Sequence, residues 1–402
     1  MAMQYSLDVE QDTVDPLYRE YSEFRERAGV HVVNAAGGPR YSLYRYEDVA
    51  AAFKDARFGA AQASPGLRRA LRWTGFGSVA DIIESGLLIA LNPPDHTRLR
   101  KIIEPFFRGK NIDSLKLRVE EIVHELFDRI QSAGRFDLIA DLAIPLPTRV
   151  IAELIGFPQS DMVQLKQWTS DLAPLIDSDL QRTAFTRKIA AFLGFRRRIN
   201  ELIKERWREP RKDLLSALAH AHYATGELSQ TEIIGTAIFL LSAGSATTTH
   251  LIGTGIMSLL KYQGELNRLR ADPNLIHKAI EEMVRFNSPI LRTGRVLLEG
   301  IELHGQPIPR GAKVRLMIGA ANRDPRKFEN PDQFDILRSP NRHVGFGAGI
   351  HQCIGLQLAR VEASIAIGAL VQRFLTLERV SKETRWVNGT KFRGLTEFVI
   401  KI

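Results

Sequence analysis

The chain has 402 residues, of which 44% are hydrophobic and 25% are charged, so it can bury a substantial core. Its single cysteine excludes an intramolecular disulfide and favours a reducing compartment, and we expect a soluble, cytoplasmic protein. The net charge of +9 is spread along the chain without the interleaved aromatics that bind single strands, so nucleic acid is not an expected partner.

The N-terminal part predicts a small mixed region. Residues 14–28 have the spacing of a short amphipathic helix. Two apolar runs, 30–35 and 41–44, flank a Gly-Pro turn and predict a β-hairpin. Residues 58–86 lose periodicity and accumulate Gly, Ser and Pro, which is typical of a functional loop or a disordered segment.

From about residue 91 to 286 the pattern is mainly helical, with no linker, repeat or low-complexity tract. β-rich portions are predicted at about 30–45, 291–316 and 375–402, where short apolar runs alternate with Gly and Pro turns. The sequence therefore predicts a mainly α fold with a small β-rich lobe, built as one large domain.

The longest predicted helix begins with a capping box, Ser229 and Glu232, and runs to about residue 260. Its middle, FLLSAGSATTTHL, contains three consecutive threonines and a glycine, which are poor helix formers. Either the hydroxyls bond back to carbonyls one turn earlier, or the helix opens locally toward a reaction cavity. The polar interruptions indicate a buried helix, so a membrane is not an expected partner.

The only cysteine, Cys353, ends a glycine-rich run and precedes an apolar-striped helix. Glycines at 345, 347 and 349 permit positive φ and let a large group lie against the backbone. The free N–H groups and the dipole at the helix N-terminus favour a thiolate over a thiol. The sequence therefore predicts an activated sulfur facing a bulky group.

Four elements together resemble the cytochromes P450, the haem-thiolate monooxygenases, of the soluble bacterial type. FGAGIHQCIG at 346–355 resembles the cysteine loop, and Glu282-x-x-Arg285 resembles the Glu-x-x-Arg helix. AGSATT at 243–248 resembles the oxygen-activation helix, and NPPDHTRLR at 92–100 resembles the helix that contacts the haem propionates. The four occur in the family's order, so the chain is identified as a member.

The resemblance implies haem b with Cys353 as the axial thiolate. It implies insertion of one atom of O2 into a hydrophobic small molecule, by hydroxylation or epoxidation, an activity typical of secondary metabolism. Electrons would come from a separate ferredoxin or flavodoxin-type donor with its reductase. The basic residues expected to dock that acidic donor are Arg100, Lys101, Arg108, Lys110 and Arg342.

The resemblance also implies roles for individual residues. The predicted cofactor-binding residues are His96, Arg100, Arg295, His343, Phe346, Gly347, Cys353 and Gly355. The predicted catalytic residues are Thr247, Ala246, Ser245 and Thr248. The apolar residues predicted to line the substrate pocket, each of which also fits ordinary core, are Leu87, Leu88, Ile238, Leu241, Ala243, Ile290, Leu291 and Phe392. Glu282 and Arg285 are predicted to be structural, with Arg338 or Arg342 as a third member.

One position departs from the family pattern: Ala246 stands where many relatives have Asp or Glu before the threonine. Acid and alcohol together help to deliver protons to dioxygen. We hypothesise that Thr247 still positions the oxygen species while water or substrate completes the path.

Three alternatives remain open. The departure at Ala246 would also fit peroxide-driven or non-oxygenase chemistry on the same fold. A non-catalytic haem-binding protein would account for the cofactor motifs without any turnover. A thiol hydrolase using Cys353 and His351 would leave the other three motifs as coincidences.

Overall fold

The computed structural model describes residues 15–27, 29–35, 38–61, 86–176, 185–380 and 383–402, with residues 69, 72, 73, 77, 81 and 82. The predicted fold class is confirmed, because these residues are mainly helical with small sheets. The helices are α1 Pro16–Arg27, α2 Tyr46–Lys54, α3 Asp95–Ile103, α4 Lys110–Gln131, α5 Pro145–Ile155, α6 Met162–Ile176, α7 Phe185–Arg208, α8 Leu214–Tyr223, α9 Gln230–Lys261, α10 Gln263–Ala271, α11 Ile276–Phe286, α12 Ile318–Ala321 and α13 Leu356–Arg373.

The strands are short. They are β1 Val30–Ala35, β2 Gly38–Leu43, β3 Phe58–Ala60, β4 Arg135–Asp137, β5 Thr293–Leu297, β6 Ile301–Leu303, β7 Gln306–Ile308, β8 Lys313–Leu316, β9 Glu378–Arg379, β10 Arg385–Trp386, β11 Leu395–Glu397 and β12 Val399–Lys401. Among the described residues, no helix combines the length and the apolar character needed to cross a membrane.

The described residues separate into two compact units. The first takes its residues from Met1–Gly59, Arg118–Leu146 and Thr247–Ile402, and the second from Ala60–Leu117 and Pro147–Ala246. The boundary falls inside α9, which is α-helical along its whole length. The single domain proposed from the sequence stays a prediction.

The first unit contains a five-stranded sheet in the order β1-β2-β8-β5-β3. The predicted hairpin is confirmed, because β1 and β2 pair antiparallel, and β2 then pairs parallel with β8. Leu43, Phe53 and Leu316 form one buried cluster with Val344, which begins the cysteine loop. This apolar cluster anchors the loop to the sheet.

The second unit contains most of the helices between α3 and the first half of α9. The buried Arg206 places its Nε 2.6 Å from Asp213 Oδ2 and donates to the Gly156 carbonyl at 2.7 Å. The predicted capping box is confirmed, since Ser229 N–H donates to Glu232 Oε2 at 2.8 Å. These polar contacts fix where α8 and α9 begin.

Within the stretch predicted to be mainly helical, the helical pattern at about 136–156 is wrong in part. β4 occupies its first residues because they pair with β12, and a π-helical turn, Ile139–Ala143, follows. Pro145 then starts α5, where its missing N–H costs nothing. Most of the segment predicted as an irregular loop, 58–86, lies outside the described residues.

Candidate functional site

The cysteine loop of the first unit turns sharply before α13. Cys353 is half-buried, and its backbone N–H donates to the Phe346 carbonyl at 2.9 Å. Gly347 and Gly349 have φ of +67° and +70°, a region that favours glycine. A side chain at Gly349 would also collide with the backbone of α2. The glycines therefore fix the thiol two residues before Gly355, the N-cap of α13.

Phe346 lies beside a carboxylate–guanidinium pair. The Arg360 guanidinium is 4.9 Å from the Phe346 ring centroid and donates to the two Glu281 oxygens at 2.7 and 2.8 Å. Burial alone would raise the pKa of Glu281, but hydrogen bonds from His343 and Arg360 outweigh it and lower the pKa to about 2. A fixed ion pair thus holds the aromatic ring beside the cysteine loop.

The two histidines of this loop differ in their surroundings. His343 Nε2 lies 3.2 Å from Glu281 Oε2, and its Nδ1 accepts the Gly345 N–H at 3.1 Å. The predicted propionate contact of His343 would therefore require one of these contacts to be exchanged. His351 lies in the short helix Gly349–His351, two residues before Cys353, and is half-buried. His351 was not among the residues predicted to bind the propionates. Its position two residues before Cys353 in the sequence could have indicated it.

Arg295, on β5 of the first unit, is a buried cation. Only 5% of the residue is exposed, and its Nη1 donates to the Gly294 carbonyl at 2.9 Å. Its guanidinium also lies 5.5 Å from the Phe53 ring centroid. Within the described residues no carboxylate contributes to its pKa, and burial lowers the pKa of Arg295 to about 10. A buried guanidinium of this kind favours a planar anion such as a propionate.

The other two predicted propionate residues lie on α3 of the second unit. His96 and Arg100 are four residues apart and so share one face of the helix. His96 is buried, and burial together with the Arg100 charge lowers its pKa. Arg100 Nη2 donates to Glu104 Oε1 at 3.2 Å. Any anion bound by Arg100 would share it with this carboxylate.

The predicted catalytic residues lie in the middle of α9. Ser245 and Thr248 are buried, and Ser245 Oγ donates to the Leu241 carbonyl at 2.8 Å. Ala246 and Thr247 are only partly buried. The helix does not open locally, since α9 is continuous and the Ser245 hydroxyl bonds back one turn. Thr247 is therefore the least buried of the three predicted hydroxyl residues.

The apolar candidates fall into two groups. In the first unit Ile290 and Phe392 form an isolated antiparallel bridge, and Leu291 N–H donates to the Lys391 carbonyl at 2.7 Å. The structure thus brings three of the predicted pocket residues together. The remaining candidates belong to the second unit, where all except the half-buried Ala243 are buried: Leu87, Leu88, Ile238 and Leu241.

Glu282 and Arg285 form a fully buried pair on α11. Arg285 Nε and Nη2 donate to the two Glu282 oxygens at 2.7 and 2.8 Å, and neither side chain is exposed. Arg338 Nε lies 3.3 Å from Glu282, and its Nη1 donates to the Glu329 carbonyl at 2.7 Å. Between the two candidates for the third position, Arg338 is the one that contacts Glu282.

Asn322 is a residue that the sequence did not single out. Its Oδ1 accepts the Val344 N–H at 2.8 Å, and its Nδ2 donates to Ser288 Oγ at 2.8 Å. Its carbonyl also accepts from Arg285 at 3.0 Å. Asn322 therefore ties the start of the cysteine loop to α11, and no spacing or motif signals this role.

Comparison with known proteins identifies the family. The model of the family described as Cytochrome P450 matches residues 69–389. The chain belongs to the cytochrome P450 family. It is 38% identical over 362 residues to the biotin biosynthesis cytochrome P450 of Bacillus subtilis, covering 90% of each chain. It is 36% identical over 390 residues to the mycinamicin IV hydroxylase/epoxidase of Micromonospora griseorubida, covering 94% of each.

A solved P450 has the same fold. P450BioI, in complex with an acyl carrier protein ligated to hexadec-9Z-enoic acid, matches with a TM-score of 0.88 and 36% identity. The match covers 96% of this chain and 98% of the other. The predicted family and fold are therefore confirmed.

Membership gives this P450 its cofactor, haem b held by a cysteine thiolate, and Cys353 is the chain's only cysteine. The haem, when bound, supplies the chemistry that activates dioxygen. The first unit fits it, because the glycine turns hold Cys353 just before α13, and the buried Arg295 offers a cation that no carboxylate contacts among the described residues. The enzyme is a monooxygenase, and P450s of bacteria take their electrons from redox partners.

Proposed function

We propose that this P450 hydroxylates or epoxidises a hydrophobic molecule with a long aliphatic or macrocyclic skeleton. The observation that carries the proposal is the cysteine loop, whose thiol and glycines suit a haem, in a chain matched over residues 69–389. Apolar side chains, including the paired Ile290 and Phe392, support a hydrophobic substrate. The named relatives act in biotin biosynthesis and on mycinamicin IV, and they define two substrate classes to test.

Two measurements test this function. The reduced, CO-bound protein should show the Soret band of a haem thiolate, and a protein that takes up no haem would end the proposal. Turnover with ferredoxin, its reductase and NADPH under ¹⁸O2 should then add one labelled oxygen to dodecanoic acid or to mycinamicin IV. Turnover that occurs only with peroxide would instead support the peroxide-driven alternative.

Arg295, His96 and Arg100 are proposed to bind the haem propionates, and His351 is proposed in place of His343. The support for Arg295 is its burial without a carboxylate, and the support for His351 is its position two residues before Cys353. Replacing His351 with Leu should speed haem loss more than replacing His343 with Leu. The opposite order would restore the role first predicted for His343.

Thr247 is proposed to position the oxygen species and to pass protons to it. It is partly buried, whereas the other two predicted hydroxyl residues, Ser245 and Thr248, are buried. Ala246 has no side-chain group that could contribute a proton. The proton path therefore needs a further group, because a hydroxyl alone relays protons only when a donor stands behind it.

An acidic electron donor of the ferredoxin or flavodoxin type is proposed to dock on the basic surface that begins at α3. Lys101, Arg108 and Lys110 are exposed there, although Arg108 also pairs with Glu104 at 2.6 Å. Reversing the charge at Lys101 and Lys110 should slow reduction and flatten its salt dependence. The same reversal at Lys204, an exposed lysine on α7, serves as the control.

We also propose that the protein works in the cytoplasm and functions as one domain. The lone cysteine supports the location, since a thiolate ligand must stay reduced. A continuous α9, shared by both compact units, supports cooperative folding. One unfolding transition with coincident haem release and loss of helicity would agree with a single domain.

A further inference from the structure

A histidine one turn beyond the catalytic threonine has no role in the function described so far. His250 follows Thr247 by three residues and Ala246 by four, within the continuous helix α9. Residues at these spacings lie on the same face, with Cβ atoms about 5–6 Å apart. Helical side chains also lean toward the N-terminus, which brings the imidazole over the turn that contains Thr247.

The surroundings of His250 are apolar and fitted to the ring. The residue is 9% exposed, and the Phe392 ring centroid lies 6.0 Å from the imidazole centroid. A side chain at Gly394 would collide with Nδ1, so glycine is needed there. The charged neighbours on that segment do not pair with the ring: Lys391 lies over Phe392 at 5.0 Å, and Arg393 pairs with Asp15.

Burying an imidazole at this position costs free energy of folding. Nδ1 is buried and has no hydrogen-bond partner among the described residues, which typically costs about 1–3 kcal/mol. Burial lowers the pKa of His250 to about 4, so the ring is neutral at pH 7. Phenylalanine or leucine would fill the same space without that cost. A functional use of the ring would explain why a histidine occupies the position.

A neutral imidazole has what a proton relay needs. One ring nitrogen donates a proton while the other accepts one, and a hydrogen bond at either nitrogen would fix the tautomer. Because no partner within the described chain fixes Nδ1, the proton can reside on either nitrogen. The ring can therefore take up a proton at one nitrogen and release one at the other.

We propose that His250 relays protons to Thr247 through water and so replaces the carboxylate that Ala246 lacks. The proposal rests on the monooxygenase function, in which substrate, O2, two electrons from the redox partner and two protons give hydroxylated product and water. Each proton that His250 donates toward Thr247 is regained from solvent. The ring therefore ends every cycle neutral, and it acts on the reaction only through Thr247.

The decisive comparison uses holoenzymes with His250→Phe, His250→Gln and the double variant Ala246→Asp/His250→Phe. With dodecanoic acid as probe, His250→Phe should lower turnover at least about a hundredfold, the lower end of the range typical of general acid–base catalysis. Its D2O isotope effect should rise, because proton delivery becomes rate-limiting. The Gln variant should retain part of the rate, and the added Asp in the double variant should restore most of it.

Several readouts separate a relay from a structural role. All variants should keep the CO-bound thiolate Soret band. The Thr254 hydroxyl donates to the His250 carbonyl at 2.8 Å, and the control variant Thr254→Val should have the turnover rate of the wild type. In ¹⁵N-histidine NMR of the CO-bound wild type, His250 should remain neutral from pH 8 to 5.5. A ring that titrates near 6.5 would overturn the proposal.

The failure of this proposal can be told apart from failure of the proposed function. A wild type that never incorporates label from ¹⁸O2 would contradict the monooxygenase function. A wild type that does, with His250→Phe at the same rate and isotope effect, would refute the relay alone. If the probe acid is not converted, the same ratio is measured on NADPH-driven O2 consumption.

Discussion

Replacing Arg295 with Leu should greatly weaken haem retention. Burial lowers the pKa of Arg295 from 12.5 to about 10, which amounts to about 3 kcal/mol of unfavourable charge burial at about 1.4 kcal/mol per pKa unit. No carboxylate within the described residues offsets this cost, since burial is the one cause of the shift. A haem propionate would do so, and removing the guanidinium would leave that propionate buried without its cation.

The expected magnitude follows from the same energy. A loss of about 3 kcal/mol in haem binding corresponds to roughly a hundredfold change in the equilibrium, expressed mainly as faster dissociation. The assay is haem transfer from the ferric holoenzyme to excess apomyoglobin, followed by the Soret band. Arg295→Lys keeps the charge but loses the planar guanidinium, so its rate of haem loss should lie between those of Arg295→Leu and the wild type.

The matched control is Arg292→Leu, three residues earlier. Its guanidinium is partly exposed and donates to Thr390 Oγ1 at 2.8 Å. This variant should lose haem at the wild-type rate. Equal rates for Arg295→Leu and the wild type would refute the assignment of Arg295 to a propionate and leave its burial unexplained.

Three further changes give distinct results. Burial lowers the pKa of His250 from 6.5 to about 4, so the contribution of the neutral ring to stability is present above pH 6.5 and is lost as the pH falls toward 4. Between pH 8 and 5 the unfolding free energy of the wild type should therefore fall by about 2 kcal/mol more than that of His250→Asn. Urea titrations at the two pH values measure this difference. Glu282→Ala should lower the unfolding free energy by about 3–5 kcal/mol, because it leaves the buried Arg285 charge without its carboxylate. Truncating the exposed Glu329 side chain should leave the unfolding free energy unchanged. Thr247→Ala should raise peroxide released per NADPH, and unchanged coupling would exclude its role.

Local sequence signals predicted the main elements of the fold well. The capping box at Ser229 and Glu232 and the first hairpin are both found, because capping and turn chemistry act over a few residues. The strand β4 was missed, since its pairing with β12 is a contact between residues far apart in the chain. Helical periodicity alone does not report such partners.

The candidate site was predictable to the extent that the family's motifs carry it. The resemblance to the family's motifs pointed to Cys353, to the Glu282–Arg285 pair and to Arg295. The choice of Arg338 as the third member could not, because it depends on how the segment before the cysteine loop folds back onto α11. The role of Asn322 could not be predicted from the sequence for the same reason.

The surroundings of the cysteine loop show why these buried charges belong together. Arg285 is bound by Glu282 and by the carbonyls of Asn322, Pro331 and Gln333, so the pair holds irregular backbone that no sheet or helix supports. Directional hydrogen bonds fix a loop more tightly than apolar packing, which tolerates small shifts. A thiolate ligand needs its sulfur held within a fraction of an ångström. Burying these ions costs desolvation free energy, and their hydrogen bonds in turn fix the position of the cysteine loop.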